Sequence, residues 1–142
     1  MADFEKEVKD RLARMPEETE LRIAAKMFMA ESIIPKYSYN YFWLGRPIIQ
    51  YPQDIVAMQE IIWEVKPDLI IETGIAHGGS LILYATMLAQ LDMIDAIEND
   101  VTLNPSLSER KVLGIDIDIR EHNRVAIEEH PMFSRIQMIE GS

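Results

Sequence analysis

Apolar positions recur along this chain in two rhythms, one helical and one extended, and the change between them marks out the elements. Phe4, Val8, Leu12 and Met15 form a narrow stripe among charged residues, which predicts a surface helix from Asp3 to Met15 broken by Pro16. A second helix is expected from Glu17 to about Ile34, with Leu21, Ala24, Ala25, Phe28 and Met29 inward, ending before Pro35. Ile55, Met58, Ile61, Ile62 and Val65 predict a third, capped by the Asp54 carboxylate and stopped at Lys66-Pro67. The pattern then shortens. Leu69, Ile70 and Ile71, between Pro67-Asp68 and Gly74, read as a strand buried on both faces. Ser80 to Leu91 is apolar nearly all round, which suits a helix packed between a sheet and another layer. Lys111 to Ile117 predicts a second buried strand, Arg120 to His130 a helix with Ala126 and Ile127 inward, and Arg135 to Glu140 a third strand with Ile136 and Met138 on one face.

Strand, helix, strand, helix, strand predicts an α/β fold, one mononucleotide-binding half of a doubly wound parallel sheet in the order 3-2-1. The expected divisions are an N-terminal helical segment over 1–36, an aromatic-rich loop over 37–53 and a partial Rossmann-like domain over 54–142. The loop gathers Tyr37, Tyr39, Tyr41, Phe42, Trp43 and Tyr51, six of the chain's eleven aromatics, beside Gly45, Pro47 and Pro52. It is either a covering over the domain or a wall of a ligand pocket, with Arg46 and Gln50 as its polar groups. Asp92 to Arg110, polar, acidic and containing Asn104-Pro105, reads as an inserted loop.

The chemistry concentrates in L-I-I-E-T-G-I-A-H-G-G-S, Leu69 to Ser80, where a strand runs through a glycine turn into a helix. Such a turn aims backbone N–H groups and the positive end of a helix dipole at a nucleotide-like ligand. The plainer alternative is that Gly74, Gly78 and Gly79 only make a tight βα turn. Asp116 ends the second strand 42 residues after Gly74; leaving out the 19 of the inserted loop makes 23, near the roughly 20 expected for an acid that binds ribose hydroxyls. Asp116 or Asp118 could instead cap the following helix, and Asp118 suits the cap better.

Composition narrows the partners. A formal charge of −10 disfavours a nucleic-acid partner. The absence of cysteine excludes disulfides and thiolate chemistry, and with no apolar segment at the start the reading is cytoplasmic. Leu69 to Leu91 carries one charge, Glu72, but its glycines and that acid argue against a membrane span.

The segments Y-F-W-L-G-R-P-I-I-Q-Y-P-Q-D, K-P-D-L-I-I-E-T-G-I-A-H-G-G-S, G-I-D-I-D and I-E-G-S resemble the cephalosporin hydroxylase / rhamnosyl O-methyltransferase family over about Tyr37 to Ser142. The resemblance implies a class I fold dependent on S-adenosylmethionine, and methyl transfer to a hydroxyl of a sugar, as in polysaccharide biosynthesis, or of a natural product. The turn is also similar to the E-x-G-x-x-x-G-x-S of catechol-type O-methyltransferases. By that likeness Gly74, Ala76 and His77 lie against the methionine part of the cofactor, with Gly78 in the same turn. Ser80 binds its carboxylate and Glu72 orients its amino group or the turn. Asp116 takes the ribose, and Gly141-Ser142 approaches the adenine. His77 is not assigned as a base, no catalytic residue is assigned, and no metal ligand is assigned within the chain. A fourth strand, where relatives carry Mg ligands, does not occur here, so the reading is a cofactor-binding portion inactive by itself, with any Mg held by residues beyond it. A small-molecule or glycan acceptor and a homo-oligomer fit this reading. The rival classes are a nicotinamide-binding oxidoreductase domain, from which the glycine spacing departs, and a non-catalytic assembly module.

Overall fold

The computed structural model describes residues 2–141, and the chain separates into two units, Met1–Tyr37 and Ser38–Ser142. In the first, helix α1 (Ala2–Arg14) carries Asp3 and Glu5 in its first turn and Arg11 and Arg14 in its last, the polarity that suits a helix dipole. Helix α2 (Thr19–Glu31) follows a 3-10 turn at Met15–Glu17. It stops before the expected Ile34, because Pro35 removes a donor and disfavours helical backbone in the residue before it. Its expected inward side is not buried: Leu21, Phe28 and Met29 are about half exposed. Phe28 meets Tyr37 edge to face at 5.4 Å.

The second unit is built on three parallel strands. Strand β4 (Lys111–Asp116) lies between β3 (Leu69–Thr73) and β5 (Ile136–Glu140), with Ile70, Val112 and Ile136 in register. Helix α4 (Gly79–Glu98) joins β3 to β4, and α5 (Glu121–Glu128) precedes β5. Leu81, Ile82, Leu83 and Leu88 of α4 pack with Val112, Ile127 and Ile136 in one core. This accounts for an α4 that is apolar nearly all round, and also long and apolar enough to cross a membrane.

The core covers one face of the sheet. Leu69 and Ile71 are 50% and 58% exposed, against the expectation of a strand buried on both faces, since side chains alternate and only the Ile70 face meets the core. The acidic stretch from Asp92 is not a loop either; α4 continues through it to Glu98. Its acids are ion-pair partners: Arg110 contacts Asp92 at 2.6 Å and Asp95 at 2.7 Å, and the buried Arg135 contacts Asp92 at 2.5 Å. Burial alone would push the Asp92 carboxyl up, but the hydrogen bonds with Ser108, Arg110 and Arg135 outweigh it and hold the group below its ordinary range. The connection is therefore 99–110, and the 23-residue spacing loses its basis.

The aromatic segment contains a hairpin. Strands β1 (Tyr41–Trp43) and β2 (Arg46–Ile48) pair antiparallel around Leu44 and Gly45, both at positive φ, as a two-residue turn requires. Trp43 Nε1 donates to Thr86 Oγ1 at 3.0 Å, and the buried Ile48 enters the core. Helix α3 (Pro52–Val65) begins on proline after an extended Tyr51, with no side-chain cap; Asp54 sits in its first turn instead.

The hairpin lies so near α4 that a Cβ on Gly79 would overlap the Pro47 carbonyl oxygen and stand 2.7 Å from Ile48 Cα. Gly79→Ala should therefore destabilise the domain by about 2–3 kcal/mol, read from urea unfolding. A change below about 0.5 kcal/mol, the usual range of surface substitutions, would mean that this approach is not close in solution.

Candidate functional site

The carboxyl ends of β3 and β4 converge on the glycine turn. Gly74 N donates to Ile115 O at 2.8 Å and Gly141 N to Asp116 O at 2.9 Å, so the ladder runs one step past each strand. The Asp116 carboxylate crosses to the turn: Oδ2 accepts from Ile75 N at 2.7 Å and Oδ1 from Asp118 N at 3.2 Å. These backbone donors, Ile75 first, hold its carboxyl below the ordinary range. Asp118 does not cap α5, because Arg120 occupies the cap position and no side chain bonds the helix end.

Gly74, Ala76 and Gly78 all have positive φ, at 85°, 47° and 80°. The two glycines face different surroundings. A Cβ on Gly74 would meet nothing within 4 Å, which leaves that side open to a ligand, whereas one on Gly78 would overlap the Ile127 side chain of α5. Gly78 is thus required by its conformation and by helix packing.

On its other side the turn is held by Arg46 and Asn123. Arg46 donates from Nε at 3.0 Å and from Nη2 at 2.5 Å to His77 O, and from Nη2 at 3.2 Å to Asn123 Oδ1. Asn123 is buried, and its Nδ2 donates to Ala76 O at 2.9 Å. His77 Nδ1 lies 3.4 Å from Asn123 Oδ1. Asn123 was not anticipated from sequence; the signal was a polar residue four positions before the inward Ile127, on the apolar face of α5.

A cavity of about 390 Å³ opens here, lined by Ile49, Ala76, His77, Asp116, Asp118, Arg120 and Asn123. Of the anticipated residues it brings together Ala76, His77 and Asp116. Ser142 lies outside the described residues. Glu72 and Ser80 face each other instead, with the Ser80 hydroxyl donating to Glu72 Oε1. Glu72 Oε2 is buried with no hydrogen-bond partner, and Tyr84, whose hydroxyl accepts from Gln50 Nε2 at 3.4 Å, lies close by. Burial pushes the Glu72 carboxyl up to about 7, against the opposing pull of the Ser80 hydrogen bond. A larger, more open depression of about 530 Å³ lies at the amino ends of the strands, between the 99–110 connection and the Arg110 ion pairs. Its Asp92 and Asp95 are paired with Arg110 and Arg135, and it lies at the opposite end of the strands from the turn. Among the described residues no group of three or more His, Asp or Glu is placed to hold a metal ion.

Fold and site define an α/β protein with a parallel sheet, whose strand ends carry a glycine turn and an acid beside a polar cavity. The chain belongs to the Rhamnosyl O-methyltransferase/CmcI family, whose model matches residues 35–142. A solved chain described as "cmcI-N160 SAH" is similar at a TM-score of 0.48 and 20% sequence identity, over 72% of this chain and 43% of that one. The chain thus spans less than half the length of that neighbour. No curated protein sequence matches it.

The Glu72 environment has a pH signature. Between pH 4.5 and about 7 the folded state keeps a proton that the unfolded chain releases, so stability falls as pH rises through that window. Glu72→Gln keeps an acceptor for Ser80 and removes the titration. Relative to wild type it should gain about 1–3 kcal/mol between pH 4.5 and pH 8, measured by urea unfolding at each pH. A stability difference independent of pH would show that Glu72 titrates normally.

Proposed function

We propose that this chain is the cofactor-binding portion of an S-adenosylmethionine-dependent O-methyltransferase acting on a hydroxyl of a sugar or natural product. One observation carries the reading: in a chain of this family, an acid held charged by backbone donors and an open-sided glycine turn border one cavity at the strand ends. The three strands correspond to the first half of a doubly wound sheet, whose strand ends and first turn receive nucleotide-like ligands. Asp116 would accept from the ribose hydroxyls. Gly74, Ala76 and His77 would lie along the methionine part, and Glu72 with Ser80 would set the floor beneath it. His77 would keep a contact role and is not assigned as a base.

The cofactor supplies an activated methyl group. When bound, it would be held by Asp116 and the Gly74–Gly78 turn and would supply that methyl group to an acceptor oxygen, its carbon–sulfur bond breaking as the new bond formed and the hydroxyl proton passing to a base. What this chain contributes is binding and orientation, which dominate the rate of such a displacement. No base and no Mg-binding carboxylate is assigned among the described residues.

Isothermal titration of the chain with S-adenosylmethionine, S-adenosylhomocysteine and NAD tests the reading, followed by labelled methyl transfer to sugar and phenolic acceptors with Mg and with chelator. Binding of the two adenosyl ligands with none of NAD is expected, and the reverse preference would return the chain to the oxidoreductase class. Asp116→Ala should weaken S-adenosylmethionine binding by about 1.5–3 kcal/mol, the worth of hydrogen bonds to a charged group. It should also lower the melting temperature, because Ile75 N–H loses its acceptor. Unchanged affinity in the folded variant would remove the ribose role.

A further inference from the structure

Arg46 is an unusual fastener. It is half-buried on the hairpin, and among the described residues no carboxylate forms an ion pair with it. Its guanidinium serves instead a backbone carbonyl, His77 O, twice over, and the oxygen of Asn123. Together the two side chains capture successive carbonyls, Ala76 O and His77 O. A planar trans peptide points its N–H away from its carbonyl, so fixing Ala76 O toward Asn123 turns His77 N–H the other way. A neutral donor could hold the same carbonyl. A guanidinium adds a positive charge beside the turn, with no carboxylate within ion-pair distance of it among the described residues, and it does so in a partly desolvated place where charge acts more strongly than in water.

We propose that Arg46 is a positioning residue for the cofactor: through His77 O and Asn123 it locks the Ala76–Gly78 turn in the shape, and under the positive potential, that receives the carboxylate-bearing amino-acid end of an adenosyl ligand. This inference rests on the cofactor reading above. It makes the hairpin a fixed part of the site, tied to the turn by Arg46 and to α4 by Trp43. It also predicts that the effect of Arg46 depends on which part of the ligand is present.

The test compares S-adenosylhomocysteine with 5′-methylthioadenosine, which shares the adenosine and thioether but lacks the amino-acid end. Affinities are measured calorimetrically for wild type, Arg46→Met and Arg46→Lys, with melting temperatures alongside. Arg46→Met should bind S-adenosylhomocysteine about tenfold more weakly, as loss of charge-assisted hydrogen bonds implies, and 5′-methylthioadenosine within about twofold of wild type. Arg46→Lys should fall between, because an ammonium keeps the charge but cannot reproduce the guanidinium fork. Equal losses for both ligands, or none, would overturn the proposal. If Arg46→Met does not fold, an unchanged ratio of the two affinities in Arg46→Lys overturns it equally. A wild type that binds neither ligand would instead reject the cofactor reading itself, a result separable from a failure of Arg46 alone.

Discussion

The glycine turn between β3 and α4 is held from both sides by groups distant in sequence, and the site exists because of that grip. Asp116 takes the Ile75 N–H from the β4 side, while Arg46 and Asn123 take the carbonyls of Ala76 and His77 from the hairpin and α5. Three positive-φ residues in five positions would be costly and mobile without such partners, above all at Ala76, which has a Cβ. The turn in turn sets where α4 starts. With Gly78 against Ile127 and Gly79 against Pro47 and Ile48, helix, hairpin and α5 share one crowded junction.

The same junction explains the electrostatics. Asp116 is held charged by backbone donors at the cavity, whereas Glu72, a few residues from the turn, has burial as its dominant influence and one hydroxyl as its hydrogen-bond partner. Two carboxylates on neighbouring strands are thus pushed in opposite directions. At the other end of the sheet, Asp92, Asp95, Arg110 and Arg135 neutralise one another and fasten the end of α4 to the strands. At the turn, by contrast, the half-buried Arg46 forms no ion pair among the described residues and bonds a carbonyl and an amide oxygen instead.

Much of this was legible in the residues, and the gaps have physical causes. Strands β3, β4 and β5 and the intervening helices follow from apolar runs punctuated by Gly74 and Pro67, because local pattern and tertiary placement agree there. The hairpin was missed because Leu44-Gly45 lacks the Asn-Gly or Asp-Gly that usually marks a turn of that kind. The continuation of α4 through Asp92 and Asp95 was missed because the acids' partners, Arg110 and Arg135, come later in the chain. Of the residues lining the cavity, Ala76, His77 and Asp116 are among those the sequence singles out; Asn123 and the grip of Arg46 on His77 depend on contacts spanning 47 and 31 positions, which no local pattern reveals.

The central claim is that an adenosyl cofactor occupies the cavity beside this turn. Titrating the isotope-labelled chain with S-adenosylhomocysteine and following backbone amide resonances tests it residue by residue. The account predicts saturable shifts centred on Gly74, Ala76, His77, Ile117 and Asp118, with Leu103 and Leu107 at the opposite end of the sheet unmoved. Shifts confined to that opposite end, or none at saturating ligand, would contradict it.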